Sequence, residues 1–535
     1  MENIIKALQE IQHNGKKPEI LVDCCTDDKE YNKYRKVFNR KFHYRPTAIV
    51  LCECTEHVQQ ALLIAEKWHH AIRVRSGGHD HEGECCGTDT VVIDLSKMTK
   101  VVVDKEQGVA RIQPGIRFNQ LVPELGKHDV CIPHGTCGSV AIAGFTMGGG
   151  WGPWTRIHGM CCESLVGATI VLGDGTIEQL SEGGGRSKEE LLWALRGGGG
   201  MSYGIVTELV IKTFELPPNT IKFNVEWDDS PAMSVLKLWE GLIAPGNNPR
   251  LIGTNLMIAA IPKPPAGSDI NETVHECTFF GYYAGSNAEL VADINIWFAD
   301  LWPTDITIPD DTDDVTKMMG FAAWDRISAS KALLRSARNR SLKAPRPNLN
   351  SATPLRADTI PPDQDPPGPH KITCRIVAEE GWNDEGRKTL IRSLQSDLVY
   401  AQGIAAGIQC YVTLGAITGS YYAGYKDPGF PKGSAFPYKK RPYTIQYQAW
   451  WDEGKQEIEE GIEYDVNKFS NRAQDWIEEC RKLDFPETSG SFISFKDADV
   501  PTRNYFMQSY EQLKKIKETH SKDPRNRFRT RKTII

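Results

Sequence analysis

Three glycine-rich segments carry the residues able to do chemistry. The first is Arg75-Ser76-Gly77-Gly78-His79-Asp80, directly after a β-branched run. Two glycines behind a strand let backbone N–H groups turn inward as an anion-binding nest, for which pyrophosphate is the obvious guest; the same pair also serves a plain turn. The second runs from Pro133-His134-Gly135-Thr136-Cys137 through Ser139, Val140 and Gly144 to Gly148-Gly149-Gly150 and Gly152. Glycine at that density implies either serial tight turns or backbone lying close against a large planar ligand. The third is Trp193-Ala194-Leu195-Arg196, four glycines from Gly197 to Gly200, then Tyr203-Gly204-Ile205-Val206-Thr207. It reads as a helix end, a glycine loop and a strand. No G-x-x-x-x-G-K-[ST] occurs, which excludes a P-loop, and no G-x-G-x-x-G opens a helix in the right context. His79, His81, Cys85 and Cys86 cluster, but without repeated C-x2-C spacing, and no metal is expected.

The elements that position these segments follow from periodicity. PTAIVLCEC alternates, and EHVQQALLIAEKWHH has helical spacing, so residues 46–72 read as strand then helix. IRVR, VVID, VVVD and VARI are short β-branched runs bounded by Gly and Asp. SLVGATIVLGDGTIEQL reads as a hairpin turning at Asp174-Gly175. The texture changes after Pro217-Pro218. FNVEW, NLMIAAI and CTFFGYYAG predict strands, and PAMSVLKLWEGLIA and AELVADINIWFADLW predict helices, an antiparallel sheet with helices on one face. Residues 339–370 are proline-rich and polar and are expected to run over the surface, as a lid or partly disordered. The last 55 residues predict a helix, YEQLKKIKET, and a polar tail.

Composition bounds the rest. The 535 residues are 40% hydrophobic and 25% charged, which is globular and excludes bulk disorder. The net charge of -6 argues against a nucleic-acid partner. No apolar run reaches membrane length. The N-terminal stretch lacks the pattern of a secretory signal, so a cytoplasmic location is expected, and the 14 cysteines are read as reduced, mostly buried thiols. The sequons at Asn271 and Asn339 are of a kind that chance produces often.

In order and spacing the three glycine segments resemble the berberine bridge enzyme-like FAD-linked oxidases of the vanillyl-alcohol oxidase superfamily, with their PCMH-type FAD-binding domain. The closing YFMQSYEQLKKIKETHSKDPRNRF and the strand AFPYKKRPYTIQYQAWW resemble the same family, so the likeness spans nearly the whole chain. It implies an α+β fold: a two-subdomain FAD-binding domain in residues 1–216 (core 46–214), a substrate domain with an antiparallel sheet and helices in 217–480, and a C-terminal segment, 481–535, returning to the FAD domain. It also implies FAD held by two covalent bonds, His79 to the flavin 8α-methyl and Cys137 to C6. Arg75, Ser76, Gly77, Gly78, Asp80, Ser139, Val140, Gly144, Val206, Tyr505 and Ser509 complete the expected cofactor-binding set. A small residue at 140 is the family's oxygen gate, which favours an oxidase; a plain core valine is the alternative.

Departures from the family pattern bear on the substrate. His81 replaces a tyrosine of G-G-H-D-Y-E-G and is the one neutral-pH base placed at the pocket, unless it only packs. The V-G-x-G-G-H motif becomes Val140-Ala141-Ile142-Ala143-Gly144-Phe145, so Phe145 replaces a histidine beside the flavin. The tyrosine of N-Y-x-D becomes Phe495, which cannot take a proton. Trp151 and Gln446 match substrate-facing positions, and with His81 and Phe495 they form the expected catalytic pocket. The resemblance thus implies hydride transfer from a small, partly aromatic or specialised-metabolite molecule of secondary metabolism to FAD, with O2 reduced to hydrogen peroxide. A carbohydrate oxidase, a flavin-dependent cyclase or isomerase, and a non-catalytic flavin- or metal-binding protein remain alternatives. The expected partners are a small-molecule substrate and O2, with no membrane and no nucleic acid.

Overall fold

The computed structural model describes residues 2–23, 28–217, 219–308, 367–399, 408–451 and 466–535; of 466–469 only the backbone course is described. The proline-rich stretch expected at the surface lies, up to residue 366, outside the described residues, as do Cys24, Cys25 and Asn339.

The described residues form three large sheets and one two-stranded pair. The first holds β1 (Glu19–Val22), β2 (Ala48–Leu51), β3 (Ile72–Arg75) and β4 (Val91–Asp94) in the order β1-β2-β4-β3. β2, β4 and β3 run parallel, and β1 pairs antiparallel at the edge. A parallel pair needs a crossover, and helix Thr55–Lys67 supplies one between β2 and β3. Every residue of β2 and β4 is buried, as expected of parallel strands covered on both faces.

The second sheet holds β5 (Val101–Asp104), β6 (Val109–Ile112), β8 (Leu165–Val171), β9 (Ile177–Ser181) and β10 (Ile205–Lys212) in the order β5-β6-β10-β8-β9, antiparallel throughout. β7 (Val130–Cys131) pairs instead with β11 (Phe214–Glu215). The hairpin β8–β9 turns at Asp174-Gly175, where Gly175 takes φ 85°.

The third sheet is antiparallel and seven-stranded: β12 (Thr220–Trp227), β13 (Leu251–Ala259), β14 (Cys277–Ala284), β15 (Asp305–Thr307), β16 (His370–Ile376), β17 (Ile408–Ala416) and β18 (Tyr443–Trp451), ordered β15-β12-β14-β13-β17-β18-β16. Its alternation divides two tasks. Leu256, Ile258, Phe279, Val412, Leu414, Ile445 and Tyr447 join a core with helices Ala232–Ile243, Asn287–Trp297 and Asp384–Ser393. The intervening residues, Asn255, Met257, Phe280, Tyr411, Thr413, Thr444 and Gln446, face the other way and line a cavity.

The chain then returns to the first two sheets. Tyr505, Phe506, Leu513 and Ile516 pack in the core of the second sheet. The tail after helix Tyr510–His520 is polar in composition but docked: Phe528 is buried in the core of the first sheet and Ile534 in that of the second. Its few apolar residues are its anchors, and composition alone hides them.

Candidate active site

β3 ends at Arg75, whose guanidinium lies 3.5 Å from the buried Asp94 carboxylate at the end of β4. The chain then turns through Ser76-Gly77-Gly78. Gly78 has φ 80°, and a Cβ on Gly77 would lie 2.8 Å from the Ala141 backbone nitrogen. The two segments therefore touch backbone to backbone. That contact brings His79 and Cys137 together: His79 Nε2 lies 2.9 Å from Ser139 Oγ, and Cys137 Sγ lies 3.3 Å from the same oxygen. The Phe38 ring stacks on His79 at 4.0 Å. Burial, and then the Arg117 cation, push the His79 imidazole well below its ordinary range, so it is neutral.

Both residues open on a cavity of about 440 Å³, a common size for a small-molecule site. Ser76, Gly77, Gly78, His79, Asp80, His81, Cys137, Val140, Gly144, Trp151, Gln446 and Phe495 all line it. Of the other sequence-derived residues, Ser139 sits one step behind the lining, bonded to both His79 and Cys137. Arg75, Val206, Tyr505 and Ser509 are not lining residues. Arg75 faces Asp94, Val206 is buried in β10, and the Tyr505 hydroxyl donates to the Asp497 carbonyl at 2.9 Å. Ser509 is buried at the start of the last helix.

Not every glycine answers to a ligand. A Cβ on Gly152 would lie 1.8 Å from the His134 carbonyl, and one on Gly150 2.6 Å from Cys161 Cβ, so these positions serve chain packing. Gly144 and Gly200 differ. Both line the cavity, where a Cβ would meet nothing within 4 Å at Gly144 and only Met147 Cε at 3.7 Å at Gly200. No protein contact demands glycine there, and the open space leaves room for a flat guest.

The opposite wall is the third sheet. The Gln448 amide is engaged at both its atoms: its oxygen accepts from Tyr411 and Trp450, each at 3.1 Å, and its nitrogen donates to Thr413 at 3.2 Å. Gln446 makes no side-chain hydrogen bond among the described residues, and the buried Asn255 Oδ1 and Ser494 Oγ lack partners. Buried polar groups are normally satisfied, so Asn255 Oδ1 and Ser494 Oγ point to a ligand. The Trp151 indole donates to the Ala416 carbonyl at 2.7 Å, which holds its ring against Gly415 as an apolar wall.

Charge enters from the side. Lys496 Nζ donates to Asp80 at 2.6 Å and to Glu84 at 3.1 Å. Arg531 from the tail donates to Glu84 as well. Burial opposes both charges, but the pair prevails: the Lys496 ammonium is raised and the Asp80 carboxyl lowered. His81 is pushed down to about 4, chiefly by burial and further by Lys496, against the opposing Asp80. Its ordinary range of ~6–7 therefore does not apply, and His81 is neutral across physiological pH. Among the described residues no group of three or more His, Cys, Asp or Glu is arranged to hold a metal.

Sequence reasoning missed Phe38, Asn39, Asn255, Thr413, His370 and Lys496. They arrive through long-range register and carry no local motif; alternation along the strands of the third sheet was the one available signal, and it bears only on Asn255 and Thr413.

A model described as FAD binding domain matches residues 46–181, and one described as berberine and berberine like matches residues 491–535. These two segments bracket the cavity from both sides of the sequence. Together with the relatives below, these two matches support a berberine bridge enzyme-like FAD-linked oxidoreductase. Berberine bridge enzyme-like 21 of Arabidopsis thaliana is 23% identical over 512 residues, 93% of this chain and 84% of that protein. An uncharacterised FAD-linked oxidoreductase of Bacillus subtilis is 31% identical over 226 residues, 42% of this chain, and the xylooligosaccharide oxidase of Thermothelomyces thermophilus is 32% identical over 210 residues, 38% of this chain. The matches span only 50% and 41% of the length of those last two relatives. The fold is that of the glucooligosaccharide oxidase of Acremonium strictum, with a TM-score of 0.72 at 20% identity over 97% of this chain and 96% of that one. The residues lining the cavity fit FAD: an open glycine face at Gly144 and Gly200, the Ser76–Gly78 turn, and unpartnered polar atoms opposite. No helix among the described residues is long and apolar enough to cross a membrane.

Proposed function

We propose that the protein is an oxidase of a small molecule bound in its neutral form, an alcohol or a free-base amine, using FAD tethered through His79 and Cys137. The convergence of these two side chains on Ser139 Oγ, in the wall of the cavity, carries the reading. The glucooligosaccharide oxidase of Acremonium strictum carries a 6-S-cysteinyl, 8α-N1-histidyl FAD, which supports the same pair of bonds here. The Ser139 contact falls on His79 Nε2, and we assign the tether to Nδ1. When bound, FAD accepts the hydride and hands two electrons to O2, which leaves as hydrogen peroxide.

The chain's own residues do the rest. Gln446 and Asn255 orient the substrate by hydrogen bonds, and Trp151 and Phe495 bound it with apolar surface and exclude water. No side chain of the sheet wall is charged, and Lys496, Asp80 and Glu84 are satisfied by one another, so nothing selects an ionic substrate. His81 accepts the hydroxyl or amine proton as hydride leaves the adjacent carbon. Val140 sits in the lining as a small residue on the path of O2. Two substrate classes suit this wall. The aromatic side chains favour a small aromatic alcohol or amine. The row Asn255, Thr413, Thr444 and Gln446 favours a carbohydrate, and oligosaccharide oxidases stand among the relatives. The division into residues 1–216, 217–480 and 481–535 is part of the same proposal.

The test is a denatured-mass measurement paired with a substrate panel. Acid-precipitated wild type should stay yellow and exceed the apo-chain by one FAD. His79→Ala and Cys137→Ala should each retain flavin, and the double variant should release it. Vanillyl alcohol or cellobiose, added without oxygen, should bleach the flavin, and air should restore it with peroxide. Free flavin released from denatured wild type would sink the tether, and an unbleached flavin across aromatic alcohols, amines and sugars would sink the oxidase.

A further inference from the structure

The buried imidazole of His370, at the start of β16, reaches across to His81. His81 Nδ1 and His370 Nε2 are 2.9 Å apart, and His370 Nδ1 is 2.9 Å from the Gly368 carbonyl oxygen. A carbonyl only accepts, so His370 Nδ1 carries the proton. Its Nε2 is then a lone pair in the neutral ring, and the hydrogen of the His81 contact belongs to His81 Nδ1. By elimination, His81 Nε2 is the bare nitrogen, and no residue among those described bonds to it. The arrangement is braced. Asn39 Nδ2 donates to the backbone carbonyls of both His81, at 2.6 Å, and His370, at 3.0 Å, and Asn39 Oδ1 accepts the His370 N–H at 3.2 Å. The Trp450 ring lies 3.9 Å from the His370 ring, and the Phe38 ring 5.9 Å away.

We propose that His370 is a positioning residue that holds His81 in the Nδ1–H tautomer, so that Nε2 is the base, and takes over the charge when that base is protonated. The proposal rests on His81 being the base. In the step, the substrate proton moves to His81 Nε2 and the His81 Nδ1 proton is free to pass to His370 Nε2. The pair gains one proton and one positive charge, spread over two rings, with His370 Nδ1–H still bonded to Gly368. This answers a difficulty at His81, where a single imidazole held low by burial is always deprotonated but weakly basic. The titratable groups around the pair are Asp80, Glu84 and Lys496, whose charges are paired with one another, and the neutral His79. Lys371, next to His370, points to Glu478 and Asp499.

The decisive experiment is 15N NMR of the flavin-loaded protein labelled at histidine, with His81→Gln used to assign the His81 signals. Wild-type His81 should show a protonated Nδ1 and a bare Nε2 at neutral pH. His370→Phe, which removes the acceptor, should drive His81 to the Nε2–H form or to a mixture. His370→Gln, whose amide oxygen restores an acceptor, should recover the wild-type pattern, and both variants are compared at matched flavin content and melting temperature. A wild-type His81 protonated at Nε2, or one indifferent to His370→Phe, overturns the proposal. Whether His81 is the base is decided separately, by anaerobic flavin reduction in His81→Gln. A loss of about 100-fold or more is expected. A wild-type rate there would remove the base reading while leaving the tautomer result intact.

Discussion

At the scale of single residues, the site is defined as much by missing side chains as by present ones. Gly144 lies inside the short helix Ile142–Met147, where alanine is worth ~0.5–1 kcal/mol more than glycine, and no atom stands within 4 Å of its Cβ position. Gly144→Ala should therefore leave the flavin-free chain as stable or slightly more so. Flavin bound per chain should fall, and fall further in Gly144→Val, because the new side chain enters the cavity. Absorbance per chain and melting temperature separate the two effects; full flavin in Gly144→Val would return this glycine to a mere helix position. Gly152→Ala is the contrast, since its Cβ would overlap the His134 carbonyl and the chain should fail to fold. His79 and Cys137 were legible from sequence because each lies in a local motif. His370 was not, because it reaches His81 across 289 positions and only the docking of two sheets reveals the pair.

At the scale of elements, the seven-stranded sheet shows what periodicity delivers. Its strands read from the sequence as apolar, and all nine residues of β13 are buried, so the run itself does not say which face meets helices and which meets the site. The register does, by putting Asn255, Thr413 and Gln446 on one side. The junction of loop 80–84, the 493–496 turn and the tail was also illegible, being built from charges far apart in sequence. Lys496 is 15% exposed and holds two carboxylates, Asp80 and Glu84, of which Glu84 is 7% exposed. Lys496→Met should cost about 3–5 kcal/mol in urea unfolding, because both carboxylates lose their buried partner. The sign with pH follows. Asp80, held low, stabilises above its unfolded value of ~3.9 and loses that contribution as pH falls through its folded value. Lys496, held high, stabilises below ~10.4 and loses it as pH rises through its own. The gap between wild type and variant should be full between about pH 4 and 10 and close outside it. A gap indifferent to pH would mean that methionine disturbs packing rather than charge.

At the scale of the whole molecule, the cavity exists because three sheets are held around it, and the last residues do part of the holding. Phe528 sits in the core of the first sheet and Ile534 in that of the second. Between them Thr530 lines the cavity and Arg531 bonds Glu84. Lys517, whose ammonium is pushed down to about 8 by burial, donates to the Phe528 carbonyl at 2.9 Å and the Ile534 carbonyl at 2.6 Å, so one side chain ties both anchors. Truncating a buried phenylalanine to alanine costs about 3–5 kcal/mol, and isoleucine to alanine about 2–5. If the tail docks as one unit, these losses do not add. Once Phe528→Ala has freed the tail, Ile534 is already solvated in the variant and its truncation removes little more. Phe528→Ala with Ile534→Ala should then cost clearly less than the two single losses together, a coupling of about 0.5–3 kcal/mol. Urea unfolding of the four proteins measures it, and the single variants should also bind flavin less well, since Thr530 leaves the cavity wall and Arg531 leaves Glu84 with the tail. Strict additivity would show two independent anchors, each serving its own sheet, with the cavity closed by the sheets alone.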